Sequence, residues 1–156
     1  LPTVQALCWD YRNHLLAVDS SMRVIVETFY PEAGYQALMT ALPEKHARPD
    51  GIIMLAEADG APVGCGMLQR FDETSGEVKR VYLRPSARGT GAGKALSEAL
   101  IDQARRDGYE KLYLDTSKSF TSARRLYEKL AFVERGPYAD LPEGTLEHLC
   151  FYELKL

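Results

Sequence analysis

The chain has 156 residues, 46% hydrophobic and 26% charged, ordinary values for a globular chain able to bury its own core, so residues 1–156 read as a single domain. A formal net charge of −3 speaks against sequence-independent nucleic-acid binding, which needs a basic footprint. No apolar run reaches the ~18 residues of a membrane-spanning helix. Cys8, Cys65 and Cys150 are too scattered for a disulfide framework or a metal site, so we expect no metal, no membrane partner and a reducing, cytoplasmic setting.

Residues 3–18 place Val4, Leu7, Cys8, Tyr11, Leu15 and Val18 at helical spacing. A second helix is expected over about 32–42, with Pro31 near its first turn, and a loop from Pro43 to Gly51. Ile52–Glu57 then reads as a strand, Asp59-Gly60 as a hairpin-type turn, and Val63–Gln69 as the next strand, with Cys65 a small core residue. Phe71–Gly76 turns again. Glu77–Leu83 completes an antiparallel meander.

The stretch Arg88-Gly89-Thr90-Gly91-Ala92-Gly93-Lys94 stands between that strand and a helix over about 92–107, which carries Ala92, Ala95, Leu96, Ala99, Leu100 and Ala104 on one face. A helix start offers unpaired N–H groups and a positive dipole end. Glycines leave those donors open, so a phosphate fits there, and Arg88 and Lys94 add charge. A plain helix-starting turn is the alternative. A Walker A loop fails, because Arg88 holds its first glycine's place and Ala95 its Ser/Thr place; the dinucleotide G-x-G-x-x-G fails in both registers. Gly108 is the expected helix stop. Lys111–Thr116 reads as a buried strand, 119–130 as a helix, and Phe132–Tyr138 and Leu149–Leu154 as two strands joined through the loop Asp140–Gly144. This order supports a single-sheet α/β or α+β domain.

Two segments go further. Glu77–Pro85 followed by Arg88-Gly89-x-Gly91-x-Gly93-Lys94-Ala95-Leu96 closely resembles the acetyl-CoA-binding motif of the GNAT N-acetyltransferase superfamily. Leu112–Thr116 followed by Ala123-x-x-Leu126-Tyr127-Glu128-Lys129-Leu130-Ala131-Phe132 resembles its second motif, and together they cover about residues 61–133. The resemblance implies a mixed, mostly antiparallel central sheet flanked by helices on both faces. It implies acetyl-CoA as cosubstrate, its pantetheine arm held by backbone of Val81 and Leu83 and its pyrophosphate by Arg88, Gly89, Gly91, Ala92, Gly93 and Lys94. Three departures stand out: Phe120 where the family usually has Asn, Ala131 where it has Gly, and a first residue, Leu1, already inside a helix that a strand usually precedes.

The implied reaction is direct attack of a primary amine on the thioester, with a small-molecule or peptide amine as acceptor and a homodimer as a possible assembly. Tyr127 matches the family's proton donor to the leaving thiolate; on helical spacing alone, with Phe120, Ala123 and Leu130, it reads equally as a core aromatic. Glu77 matches an acidic position that can act as base, directly or through water; the alternative is an ordinary Glu at a strand end. Asp115 ends a strand near the same cleft and can bind a cationic substrate, and a backbone N–H such as that of Val81 is the expected oxyanion donor. Residues 20–50 and 136–148, with Tyr30, Tyr35 and Tyr138, are the expected acceptor walls. A CoA-binding sensor that has lost the chemistry is the other class of function these motifs allow.

Overall fold

The computed structural model describes residues 1–18 and 21–156, so Ser20 at the edge of the expected acceptor wall lies outside it. Three helices precede the first strand. α1 (Pro2–Val18) buries Val4, Leu7, Cys8 and Leu15 along one face. α2 (Ser21–Phe29) is a helix the sequence reading does not place, because Val24-Ile25-Val26 is a β-branched run of weak helix propensity. Burial of Met22, Ile25 and Val26 against Leu149 and Phe151 decides the matter.

α3 (Glu32–Lys45) runs on through Pro43, where a loop is expected. Pro43 has no N–H for the carbonyl of Met39, four residues back. Gln5 Nε2, from α1, donates to that carbonyl at 3.1 Å and satisfies it. Tyr35, expected in an acceptor wall, is instead core: it is 1% exposed and its hydroxyl donates to the Cys8 carbonyl at 2.6 Å.

Six strands follow: β1 (Ile52–Ala58), β2 (Ala61–Arg70), β3 (Ser75–Leu83), β4 (Lys111–Ser117), β5 (Val133–Arg135) and β6 (Leu149–Lys155). They form one sheet in the order β1-β2-β3-β4-β6-β5, antiparallel except between β3 and β4. β5 is shorter than the expected Phe132–Tyr138, since Gly136-Pro137 follows Arg135 at once and proline cannot donate to a ladder. α4 (Ala92–Arg106) and α5 (Thr121–Lys129) pack on one face, around Leu68, Leu100, Leu112 and Tyr152. The helices before β1 pack on the other, around Leu7, Met39, Met67 and Tyr82 and, further along, Leu15, Ile25 and Phe151. The mostly antiparallel sheet with helices on both faces is the expected architecture.

One irregularity positions the site. Met67 pairs with Lys79 and Cys65 with Tyr82, so Arg80 and Val81 stand together opposite Gly66. This is a β-bulge, and Arg80 takes a left-handed φ of 50°. The bulge breaks the alternation of side chains: Val78 and Val81 both face α4 and α5, while Lys79 and Arg80, consecutive in sequence, both line the cavity on the opposite face. Gly66 gives close packing here: a Cβ at that position would lie 2.9 Å from Leu100 Cδ1, and the leucine would have to shift.

The buried Arg80 is held by His46. His46 Nδ1 lies 2.9 Å from the Leu68 carbonyl, so it carries the proton, and Nε2 accepts from Arg80 Nη2 at 3.2 Å. Burial, with the Arg80 guanidinium adding to it, pushes the His46 pKa down to about 4 from 6.5. Between those values the unfolded chain binds a proton that the folded chain refuses, so stability rises with pH across the window. The contribution is complete above about pH 6.5 and lost as pH falls toward about 4, worth at most roughly 3 kcal/mol at about 1.4 kcal/mol per pKa unit. His46→Gln should lower stability at pH 7 and flatten its dependence over this window in urea titrations. Parallel curves for the two proteins would show that His46 does not carry the effect.

α4 and α5 end alike. After α4, Gly108 has φ 86°, Gly108 N–H donates to Arg105 and Tyr109 N–H to Ala104, a Schellman motif. After α5, Ala131 has φ 74°, Ala131 N–H donates to Glu128 and Phe132 N–H to Tyr127, with the rings of Tyr127 and Phe132 packed at 5.7 Å. Ala131 thus does with a Cβ what Gly108 does without one. That strain is about 1–2 kcal/mol, and glycine's added unfolded-state entropy offsets about 0.4–1 of it. Ala131→Gly should raise the melting temperature by about 1–4 °C. A fall would mean that the left-handed geometry costs less than the added chain entropy.

Candidate active site

The Arg88–Lys94 turn sits at the N-terminus of α4, as expected. Gly89 and Gly91 have φ 77° and 86°, and a Cβ built at either meets nothing within 4 Å, so the turn is an open cradle. Ala95 N–H makes the first bond of the helix, to the Gly91 carbonyl, and no side chain caps the helix. The N–H groups of Gly91, Ala92, Gly93 and Lys94 therefore have no backbone acceptor among the described residues. This donor set suits a pyrophosphate.

The side chains of the turn do less than the sequence suggests. Arg88 folds back, donating to the Leu83 carbonyl through Nε and Nη2 at 3.2 and 3.1 Å, so Leu83 has less to offer a cofactor than expected. Lys94 is solvated beside Glu98. Gly93 has a packing reason of its own, since a Cβ there would lie 3.1 Å from Leu83 Cδ1.

β3 and β4 pair only at Ser75↔Lys111, Gly76↔Leu112 and Glu77↔Tyr113. Beyond Glu77 they part, β3 following β2 and β4 following β6. A cavity of about 60 Å³ fills the fork, with Val81 on one side, Asp115 and Thr116 on the other, and Tyr127 against it. Tyr127 is 7% exposed and belongs to the core, as its helical spacing suggests. Burial, and after it the charge of Asp115, pushes its hydroxyl up to about 12. Phe120, at the N-cap of α5, also lines the fork and makes no side-chain capping bond.

Glu77 lies in the larger cavity beside the fork, about 510 Å³, not in the fork with Tyr127. Asp115 lines both cavities and links the two. Glu77 accepts from Gln69 Nε2 at 2.8 Å and from the Tyr138 hydroxyl at 2.7 Å, and Tyr138 also reaches Asp115 at 3.3 Å. One phenol from the loop after β5 thus ties together carboxylates on two strands. Burial raises the Asp115 pKa, the Lys79 ammonium opposes that rise, and the charge of Glu77 adds to it. Burial also pushes the Tyr138 hydroxyl up, so it stays a donor. Met22, Ile25 and Phe29 of α2, Tyr30, and Leu141 complete the walls. Gln69 is a part sequence reasoning missed; α2 falls within the 20–50 span expected as an acceptor wall, and only its being a helix was missed.

The comparisons agree with this geometry. A family model described as the acetyltransferase (GNAT) family matches residues 20–132. The chain is 39% identical over 93 residues to the IAA acetyltransferase of Azospirillum brasilense, covering 59% of this chain and 61% of that protein. It is 38% identical over 82 residues to YsnE of Bacillus subtilis (strain 168), named an uncharacterized N-acetyltransferase, covering 51% of this chain and 54% of that one. The matched region thus spans little more than half the length of these relatives. The fold is shared with an acetyltransferase from Streptococcus agalactiae, at TM-score 0.76, 19% identity and coverage of 100% and 93%. It is also shared with a GNAT family acetyltransferase from Elizabethkingia anophelis with acetyl-CoA bound, at TM-score 0.62, 20% identity and coverage of 84% and 87%. On the family match, which spans most of its length, this chain belongs to the GNAT acetyltransferase family.

Proposed function

We propose that the protein transfers an acetyl group from acetyl-CoA to a primary amine by direct attack. The observation that carries this is the fork between β3 and β4, with free backbone edges, a donor-rich turn at the start of α4 and a buried protonated phenol against it. Acetyl-CoA supplies the activated acyl group. Gly89, Gly91, Ala92, Gly93 and Lys94 hold its pyrophosphate through backbone N–H groups. Val81, beyond the last β3–β4 pair, holds the arm and supplies the N–H toward the thioester oxygen.

An alkylamine of pKa about 10.4 must shed a proton before attack. Glu77, with Asp115 beside it through Tyr138, is the acceptor of that proton, directly or through water. Tyr127 donates to the leaving sulfur. Its hydroxyl near 12 stands above an aqueous thiol at about 8.5, so full transfer in water would be uphill. A thiolate leaving into the same apolar fork has its own pKa raised by desolvation, which narrows the gap. A strong hydrogen bond to the developing charge is then the larger part of what Tyr127 contributes.

Two substitutions test this. Tyr127→Phe keeps the ring and its packing and should lower kcat at least about tenfold, within the range of general acid catalysis, with acetyl-CoA affinity within a few-fold. The comparison needs single-turnover rates, since slow CoA release hides a chemical defect; an unchanged single-turnover rate would remove Tyr127 from the mechanism. Gly91→Val should weaken CoA binding by tenfold or more in calorimetry. Because Gly91 has φ 86°, it also costs roughly 1–2 kcal/mol, or about 2–8 °C in melting temperature. Wild-type CoA affinity in a folded Gly91→Val protein would place the cofactor elsewhere. CoA binding with no thiol release on any amine would instead favour a sensor.

A further inference from the structure

The larger cavity carries more positive charge than its carboxylates balance. Lys45, Lys79 and Arg80 line it, against Glu77 and Asp115. Lys79 is accounted for, with its ammonium 3.8 Å from Glu77. Arg80 is not. It is 6% exposed, its side-chain partner among the described residues is the neutral His46, and its Nε–H finds no acceptor there. A buried guanidinium is normally matched by an anion. His46 holds this one in place without neutralising it. Lys45, at the end of α3, has no carboxylate within ion-pair distance among the described residues, and burial together with the charges of Arg80 and Lys79 lowers its pKa. The bulge at Arg80 makes the imbalance, because it turns two consecutive cations into one cavity.

We propose that the acceptor is an amine that also carries a carboxylate, with the carboxylate held on the Lys45–Lys79–Arg80 side of the cavity and the amine turned toward Glu77 and Asp115. This rests on the transferase reading. An ordinary amine enters as a cation, and a cavity with surplus positive charge repels it. A zwitterion reverses that. The cavity's neighbouring acid and base, Glu77 beside Lys79, complement an ammonium and a carboxylate borne close together, as in an amino acid. One part of the remaining wall, Leu15, Ile25, Phe29 and Leu141, is apolar and suits an apolar side chain.

The test is a set of matched acceptors: apolar amino acids, their primary amides and their decarboxylated amines, assayed by CoA thiol release at saturating acetyl-CoA. The amide's amine is less basic than the acid's, so a slower amide would not reflect a larger protonated fraction. We expect kcat/KM for the acid to exceed both counterparts by roughly tenfold or more, the scale of one charged hydrogen bond. Lys45→Gln, which spares the carboxylates, should raise KM for the acid several-fold and leave that for the amide within about twofold. Equal or faster turnover of the amides or decarboxylated amines, or a Lys45→Gln effect equal on both, would overturn the proposal and leave the transferase standing. If nothing turns over, calorimetry on the CoA-loaded protein decides. Binding of the acids alone keeps the anion site and refutes the transferase; binding of none of them refutes the anion site too.

Discussion

Arg80 and Val81 standing together against Gly66 is the constraint on which the rest of the site depends. Opposite the bulge, Gly66 on β2 leaves room for Leu100, whose Cδ1 would lie 2.9 Å from a Cβ there. The bulge swings the end of β3 away from β4 and leaves backbone edges facing a fork instead of each other. It also settles which side chains face which side of the sheet: Val78 and Val81 go to the core under α4, and Lys79 and Arg80 to the opposite cavity. A regular strand would have sent Lys79 and Arg80 to opposite faces.

The second organising feature is how the site keeps ionisable groups out of water with defined partners. Glu77 and Asp115 would repel each other across the β3–β4 pair. Lys79 lies near Glu77, and the Tyr138 hydroxyl donates its one proton to Glu77 at 2.7 Å while standing 3.3 Å from Asp115. On the other side of Lys79, Arg80 leans on an imidazole kept neutral by burial. The cavity thus holds preorganised, partly unsatisfied charge, which the proposed zwitterionic acceptor would meet. The turn at α4 follows the same logic with backbone groups: donors fixed in place by the helix, held open by glycine.

Much of this was legible in the sequence because local chemistry dictated it. Short apolar runs between turn signals marked β1 to β3, glycine clusters marked the turn before α4, and the family resemblance, with Gly usual at the place of Ala131, pointed to the residue that the structure has at φ 74°. Four things were not legible. Val78 and Val81, three apart in a strand, are the one trace of the bulge, and it is too slight to give the phase without Gly66 opposite. Tyr35 has the look of a wall residue, and only the Cys8 carbonyl, 27 residues away, makes it core. The clamp of Tyr138 on Glu77 joins residues 61 apart, and chain closure over that distance leaves no local signal. α2 escaped for a related reason, since packing on β6 overrode its propensity.

Where the thioester lies decides the mechanism. A crystal structure of the protein with CoA or a non-hydrolysable acetyl-CoA analogue tests the transferase proposal most directly. We expect the pyrophosphate on the N–H groups of residues 89–94, the arm along Val81 in the fork between β3 and β4, and the sulfur within hydrogen-bond reach of the Tyr127 hydroxyl. Cofactor bound outside the fork, or a sulfur turned away from Tyr127 and facing solvent, would contradict it.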